Sequence, residues 1–143
     1  MKDEILIRVA GLAEQGLNCS QILIQLGLDE QGRDNPDLVR AIYALAHGAG
    51  FYGGTCGALT GAACFLALLA GDGSQGPDDP ERLNLMLSEL GDWFDRTYGT
   101  KYGGLSCQAI AGDEVGTPEI KQRCGMIVIK TYDRTMEILA ENS

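Results

Sequence analysis

The chain of 143 residues is 45% hydrophobic but only 6% aromatic, holds 20 glycines and carries a formal net charge of −9. A chain of this length builds one domain, expected to span residues 1–143, and buries about two thirds of the surface its unfolded form exposes, so folding needs neither disulfide nor metal. The acidic balance argues against nucleic acid and anionic membrane as partners, because both require a basic face.

The opening stretch MKDEILIRVAGLAEQG places acids directly after Met1 and keeps apolar positions at helical spacing. A signal peptide would start basic and run apolar without a break, so the expected location is the cytoplasm. Ile5, Leu6, Val9, Leu12 and Ala13 define a helix over residues 2–15, ended by Gly16. Asn18 then caps a second helix over 19–28, with Cys19 in its first turn. The polar run 29–35 (DEQGRDN) reads as a loop. Asn35 and Pro36 supply a cap and a first-turn proline for a third helix that runs to Ala46 and stops at His47-Gly48. His47 is the only histidine. Its charge suits a helix C-terminus, and the loop over 48–54 leads it toward Cys56, where it would be a proton donor.

The chain is organised around residues 52–71, YGGTCGALTGAACFLALLAG. Thr55 reads as the N-cap and Cys56 as first-turn, followed by a helix with no charge until Asp72. A helix apolar on every face belongs at the centre of a domain, and Gly57, Ala58, Gly61, Ala62 and Ala63 let neighbouring backbones approach. At roughly 16 residues it falls short of the about 20 a membrane span needs, so no membrane insertion is expected. The unpaired N–H groups and partial positive charge of a helix N-terminus predict depressed thiol pKa values for Cys19, Cys56 and Cys107 relative to Cys64.

Beyond a linker over 72–80, Leu83, Met86, Leu87, Leu90, Trp93, Phe94 and Tyr98 keep the 3-4 spacing of a long amphipathic helix. The stretch YGGLSCQAIAG over 102–112 then repeats the pattern YGGTCGALTG over 52–61: Tyr-Gly-Gly, one or two residues, and Cys-x-Ala-[Leu/Ile]-x-Gly, with Ser106 as cap. Tyr52 and Tyr102 read as packing anchors, with proton donation the other open role. Thr117-Pro118-Glu119 opens the last helix, whose stripe of Ile120, Cys124, Ile127, Val128, Thr131, Thr135, Ile138 and Leu139 turns Cys124 inward.

These elements add up to an all-α, single-domain bundle of five to seven helices around a buried Gly/Ala-rich central helix over 57–70. Five cysteines are many for a cytosolic chain, where they more often bind metal or react than form lasting disulfides. No C-x-x-C, haem-attachment or His-rich motif is present, so a shared site must be assembled by the fold from distant segments.

With Cys19, Cys56-Gly57-Ala58-Leu59-Thr60-Gly61, Cys107 and Cys124, the chain resembles the bacterial C_GCAxxG_C_C family of redox-active proteins over essentially its whole length. The resemblance implies a site of Cys19, Cys56, Cys107 and Cys124, catalytic in thiol chemistry or metal-ligating if a metal or cluster is bound. Gly53, Gly54, Gly57, Ala58 and Gly61 would shape it or contact what it binds. Cys64 lies outside the signature, about 80° around the helix from Cys56, and reads as core. Three chemistries stay open. One is disulfides formed and broken with Cys124 as resolving partner, which needs no cofactor. Another is zinc or an iron–sulfur cluster on four soft thiolates. The third is a helical interaction module in which the cysteines only pack. The implied partner is a redox protein or a small molecule, and a homodimer also stays open.

Overall fold

The computed structural model describes residues 2–71 and 75–142. Among these residues, seven right-handed helices make an all-α fold: α1 Lys2–Glu14, α2 Cys19–Glu30, α3 Pro36–Ile42, α4 Gly57–Leu69, α5 Pro80–Phe94, α6 Cys107–Ala111 and α7 Pro118–Glu141. α5 runs on through a π-turn, Asp95–Gly99, into a last short turn, Thr100–Tyr102. Residues 72–74 of the expected linker lie outside the described residues.

α4 occupies the centre, as its uncharged sequence predicts, and packs against α2, α5 and α7. Phe65 and Leu66 at its middle are fully buried, and Phe65 meets the Tyr132 ring of α7 edge-on at 5.9 Å. Glycine sets how close α2 comes. A Cβ on Gly61 would stand 2.8 Å from Ser20 Cα and 3.0 Å from the Ser20 carbonyl oxygen, nearer than packed carbon atoms tolerate. The missing side chains therefore bring the α2 and α4 backbones together, and with them their cysteine-bearing starts.

The start of α2 is held by a capping box. Asn18 Oδ1 accepts from the Gln21 N–H at 3.2 Å, and the Asn18 N–H donates back to Gln21 Oε1 at 3.2 Å. Ser20 Oγ and Gln21 Nε2 then donate to the Ile42 and Val39 carbonyls at 2.9 and 3.0 Å, tying this end to α3. Asn18→Ala is expected to cost about 1 kcal/mol in a urea titration while leaving the helical circular dichroism intact. No loss of stability would show that the tie to α3 holds α2 alone.

Local structure departs from the sequence reading at four places. Cys56, not Thr55, is the N-cap of α4, because Thr55 is paired in an isolated antiparallel bridge with Ser106 and Cys56 is still extended at ψ 132°. α2 runs to Glu30, two residues into the expected loop. α3 ends at Ile42 and tightens into a 3₁₀ turn, Tyr43–Leu45. His47 consequently does not close a right-handed helix. It opens a left-handed turn in which φ is 57° at His47, 67° at Gly48, 61° at Ala49, 77° at Gly50 and 66° at Phe51.

That turn is costly for the three residues with a Cβ, at about 1–2 kcal/mol each. Two contacts compensate. The His47 and Phe51 rings stack in parallel at 4.4 Å, and Gly48 meets Gly54 backbone to backbone, its carbonyl accepting the Gly54 N–H at 3.1 Å.

Candidate functional site

The repeated Tyr-Gly-Gly segments fold alike. Gly53 and Gly103 are both left-handed, at φ 83° and 81°. Each segment wraps an upstream glycine carbonyl: Gly48 O accepts from the Tyr52 and Gly54 N–H groups, and Gly99 O from those of Gly103 and Gly104. The two segments then pair. The Cys56 N–H donates to the Leu105 carbonyl at 2.8 Å and the Cys107 N–H to the Gly54 carbonyl at 3.2 Å, on either side of the Thr55–Ser106 bridge. This antiparallel clasp sets the starts of α4 and α6 side by side. Ser106 Oγ caps α6 by accepting from the Ala109 N–H at 3.0 Å.

Cys19, Cys56, Cys107 and Cys124 all line one cavity of about 300 Å³, and Cys64 does not. Three of them stand at helix starts, Cys19 and Cys107 as first residues and Cys56 as N-cap, while Cys124 reaches the cavity from the side of α7. The rest of the wall is mainly aliphatic, including Val9 and Ala13 of α1, Ile22 of α2, Ile110 of α6 and Ile120 and Val128 of α7. His47 and Lys121 are its basic side chains. All five cysteines are free thiols.

The electrostatics run against the expected acidity of Cys19 and Cys56. Burial pushes Cys19 up to about 12, with the Cys56 and Cys124 thiols adding to the rise. Burial likewise lifts Cys56 to about 11, against the pull of the Ala58 and Leu59 N–H groups and with a further push from Cys124 and Cys107. Cys107 and Cys64 are raised by burial, and Cys124 by burial and Cys107, with Arg123 pulling it down. The helix ends do favour thiolate, but desolvation in an aliphatic cavity outweighs them. Cys56, Cys124 and Cys107 all push Cys19 up, Cys124 and Cys107 push Cys56 up, and Cys107 pushes Cys124 up, whereas no other thiol acts on Cys64.

Of the glycine and alanine positions implied to serve the site, Gly57 and Ala58 line the cavity. Gly57 does so tightly, since a Cβ there would stand 2.6 Å from Cys19 Sγ. Gly53 and Gly54 shape the clasp, and Gly61 serves the helix crossing. His47 reaches the cavity wall. Tyr102 packs on the core with Arg123 over its ring at 5.1 Å, but Tyr52 is 92% exposed and anchors nothing, because the left-handed turn carries it outward. Two features went unread in the sequence: the contribution of α1 to the cavity, and Tyr98, whose buried hydroxyl sits within electrostatic reach of Cys56.

Four thiols are a suitable donor set for zinc or an iron–sulfur cluster. Among the described residues, however, no three or more His, Cys, Asp or Glu side chains are gathered as a metal ion requires. The arrangement does not fit a metal as it stands. Nor, among the described residues, is any helix long and apolar enough to cross a membrane.

No curated protein and no solved structure matches the chain. A family model described as "Putative redox-active protein (C_GCAxxG_C_C)" matches residues 17–138, a span that holds all four cavity cysteines and the clasp between them. By that match the chain belongs to the C_GCAxxG_C_C family.

Proposed function

We propose that the protein is a dithiol–disulfide redox protein acting through Cys19, Cys56, Cys107 and Cys124. The observation that carries this reading is the convergence of these four cysteines, without Cys64, on one cavity. In each exchange a thiolate attacks one sulfur of a substrate disulfide and releases the other as a thiol. A second cysteine then attacks the mixed disulfide, so that two protein thiols become one disulfide and the substrate leaves as two thiols. The volume and aliphatic wall of the cavity support a small apolar disulfide as substrate. The reducing cytoplasm is the compartment where the dithiol form would persist.

Four cysteines allow three connectivities, and two observations support one of them. Cys19 Sγ lies against Gly57, next to Cys56, and among the thiols Cys56 influences Cys19 most. Cys107 is the thiol that influences Cys124. The proposed pairs are Cys19–Cys56 and Cys107–Cys124.

Reduced, anaerobically purified protein treated with hydroxyethyl disulfide is expected to lose four thiols and keep one, with peptide mapping finding both pairs and Cys64 free. Cys64→Ser should behave as wild type, and Cys56→Ser should form no Cys19 disulfide. Stoichiometric zinc or iron in the purified protein, with the four thiols unreactive until it is removed, would overturn the reading in favour of a metal centre.

A further inference from the structure

The chain holds 20 Asp and Glu against 11 Lys and Arg, yet among the described residues no carboxylate lines the cysteine cavity. Apart from the thiols, the ionisable groups on its wall are Lys121 and His47, both basic. Asp113, Glu114 and Glu119, which flank this part of the wall in sequence, are exposed and stay outside it. Lys121 is itself an exposed residue that lines the cavity, so its carbon stem belongs to the wall and its ammonium to the mouth. Among the described residues the ion pairs are made by Arg8, Arg40 and Arg134, and Lys121 joins none of them. It also stands one turn before Cys124 on α7, about 4.5 Å along the axis, and side chains three residues apart share a helix face. A cation without a partner thus marks the open end of a cavity whose inner wall is aliphatic and thiol-bearing.

We infer that the substrate is a small disulfide carried on a short aliphatic chain that ends in a carboxylate, with the sulfurs reaching the cysteines and the carboxylate held at the mouth by Lys121. The inference rests on the dithiol reading of the site. The wall sets the orientation: a carboxylate driven inward would lose its hydration among aliphatic side chains, whereas at the mouth it keeps water and gains the Lys121 ammonium. The volume sets the size, since about 300 Å³ lies at the small end of ligand pockets and leaves no room for a peptide disulfide. Chemistry then follows the exchange already described. One cavity thiolate attacks a substrate sulfur and the sulfur–sulfur bond breaks. A second cavity thiol displaces the mixed disulfide, and the two protons given up by the protein thiols end on the two product thiols. Lys121 takes no part in these steps and acts by selecting and orienting the substrate.

The test compares two probes, the mixed methyl disulfide of mercaptopropanoate and the same disulfide as its neutral, nearly isosteric primary amide. Reduced, full-length wild type, Lys121→Gln and Lys121→Glu are treated with each at one fixed, mildly alkaline pH and low salt, and the rate of internal disulfide formation is followed. Dividing the carboxylate rate by the amide rate, and referring that ratio to the one a small free thiol gives, removes the intrinsic difference between the probes. The ratio is expected to fall about fivefold in Lys121→Gln, the upper range for an exposed ion pair, and further in Lys121→Glu, while the amide rate stays at the wild-type value in all three proteins. Added salt should lower the wild-type ratio and leave that of Lys121→Gln where it was. A ratio unchanged by either substitution overturns the assignment. So does an equal slowing with both probes, which would mean that Lys121 serves the attacking thiolate and not the substrate's carboxylate. Failure of the dithiol reading is seen separately, as neither probe producing an internal disulfide in any of the three proteins.

Discussion

Stability is expected to fall steeply between about pH 9 and pH 12, and the cavity cysteines are the reason. Below pH 9 these thiols are protonated in both folded and unfolded chains, and pH has no leverage on them. Above that, the unfolded chain releases protons from thiols with an ordinary value near 9.0, while the fold holds Cys19 to about 12 and Cys56 to about 11. The unfolded state then binds fewer protons than the native one, and its free energy falls relative to the native state with each further unit. Shifts of this size at two buried, mutually coupled groups correspond to a loss on the order of 5 kcal/mol by the time both folded values are passed. Tyr98 and Tyr132 are also raised by burial, so wild type alone does not isolate the thiols. The decisive comparison is urea midpoints at about pH 8, 10 and 11 for wild type and a Cys19→Ser, Cys56→Ser variant, one value below the window and two within it. The variant should lose much less stability across this range. Parallel curves for the two proteins would show that the cysteines are not held protonated by the fold.

The same protonation bears on function. Four thiols in one aliphatic cavity resist ionising together, so the reduced site is electrically quiet near neutral pH, and reaction needs a group that stabilises one thiolate at a time. The helix starts contribute backbone N–H groups to this, those of Ala58 and Leu59 at Cys56 and that of Ser20 at Cys19.

Most of the helices were legible because their signals are local. Asn18, Asn35, Ser106 and Thr117 cap helices where the sequence predicts, each side chain accepting from a backbone N–H three residues on. The pairing of the two Tyr-Gly-Gly segments was legible only as a repeat. That the copies clasp each other, and so bring Cys56 and Cys107 to one end, depends on hydrogen bonds spanning some fifty residues, which no local pattern encodes. The left-handed turn at 47–51 was hidden for a different reason: His47, Ala49 and Phe51 are poor residues for that backbone, which is sustained by contact with Gly54. The acidity of the cysteines was misjudged because helix-end charge is local and readable, whereas desolvation depends on α1 and α7 closing the cavity from far along the chain.

Gly57→Ala is expected to abolish the Cys19–Cys56 disulfide while leaving a folded protein. The added Cβ would fall 2.6 Å from Cys19 Sγ and 3.2 Å from Ala46 Cα. The second contact is tight but can be relieved by a shift of a few tenths of an ångström, whereas the first cannot persist. Cys19 can escape it by turning about a single side-chain torsion to another staggered position. That rotation is easier than separating α2 from α4, whose crossing is fixed further along at Gly61 and Ser20. The strain left over should cost about 1–3 kcal/mol, as small-to-large changes in packed interiors do, and the circular dichroism spectrum should remain helical. The redox consequence is larger, because a rotated sulfur no longer meets Cys56 within the narrow geometry a disulfide tolerates. Peptide mapping after oxidation would then find Cys107–Cys124 and leave Cys19 and Cys56 as thiols. If Gly57→Ala forms the Cys19–Cys56 bond in wild-type yield, the glycine is not what seats Cys19 beside the start of α4, and the proposed pairing loses its geometric support.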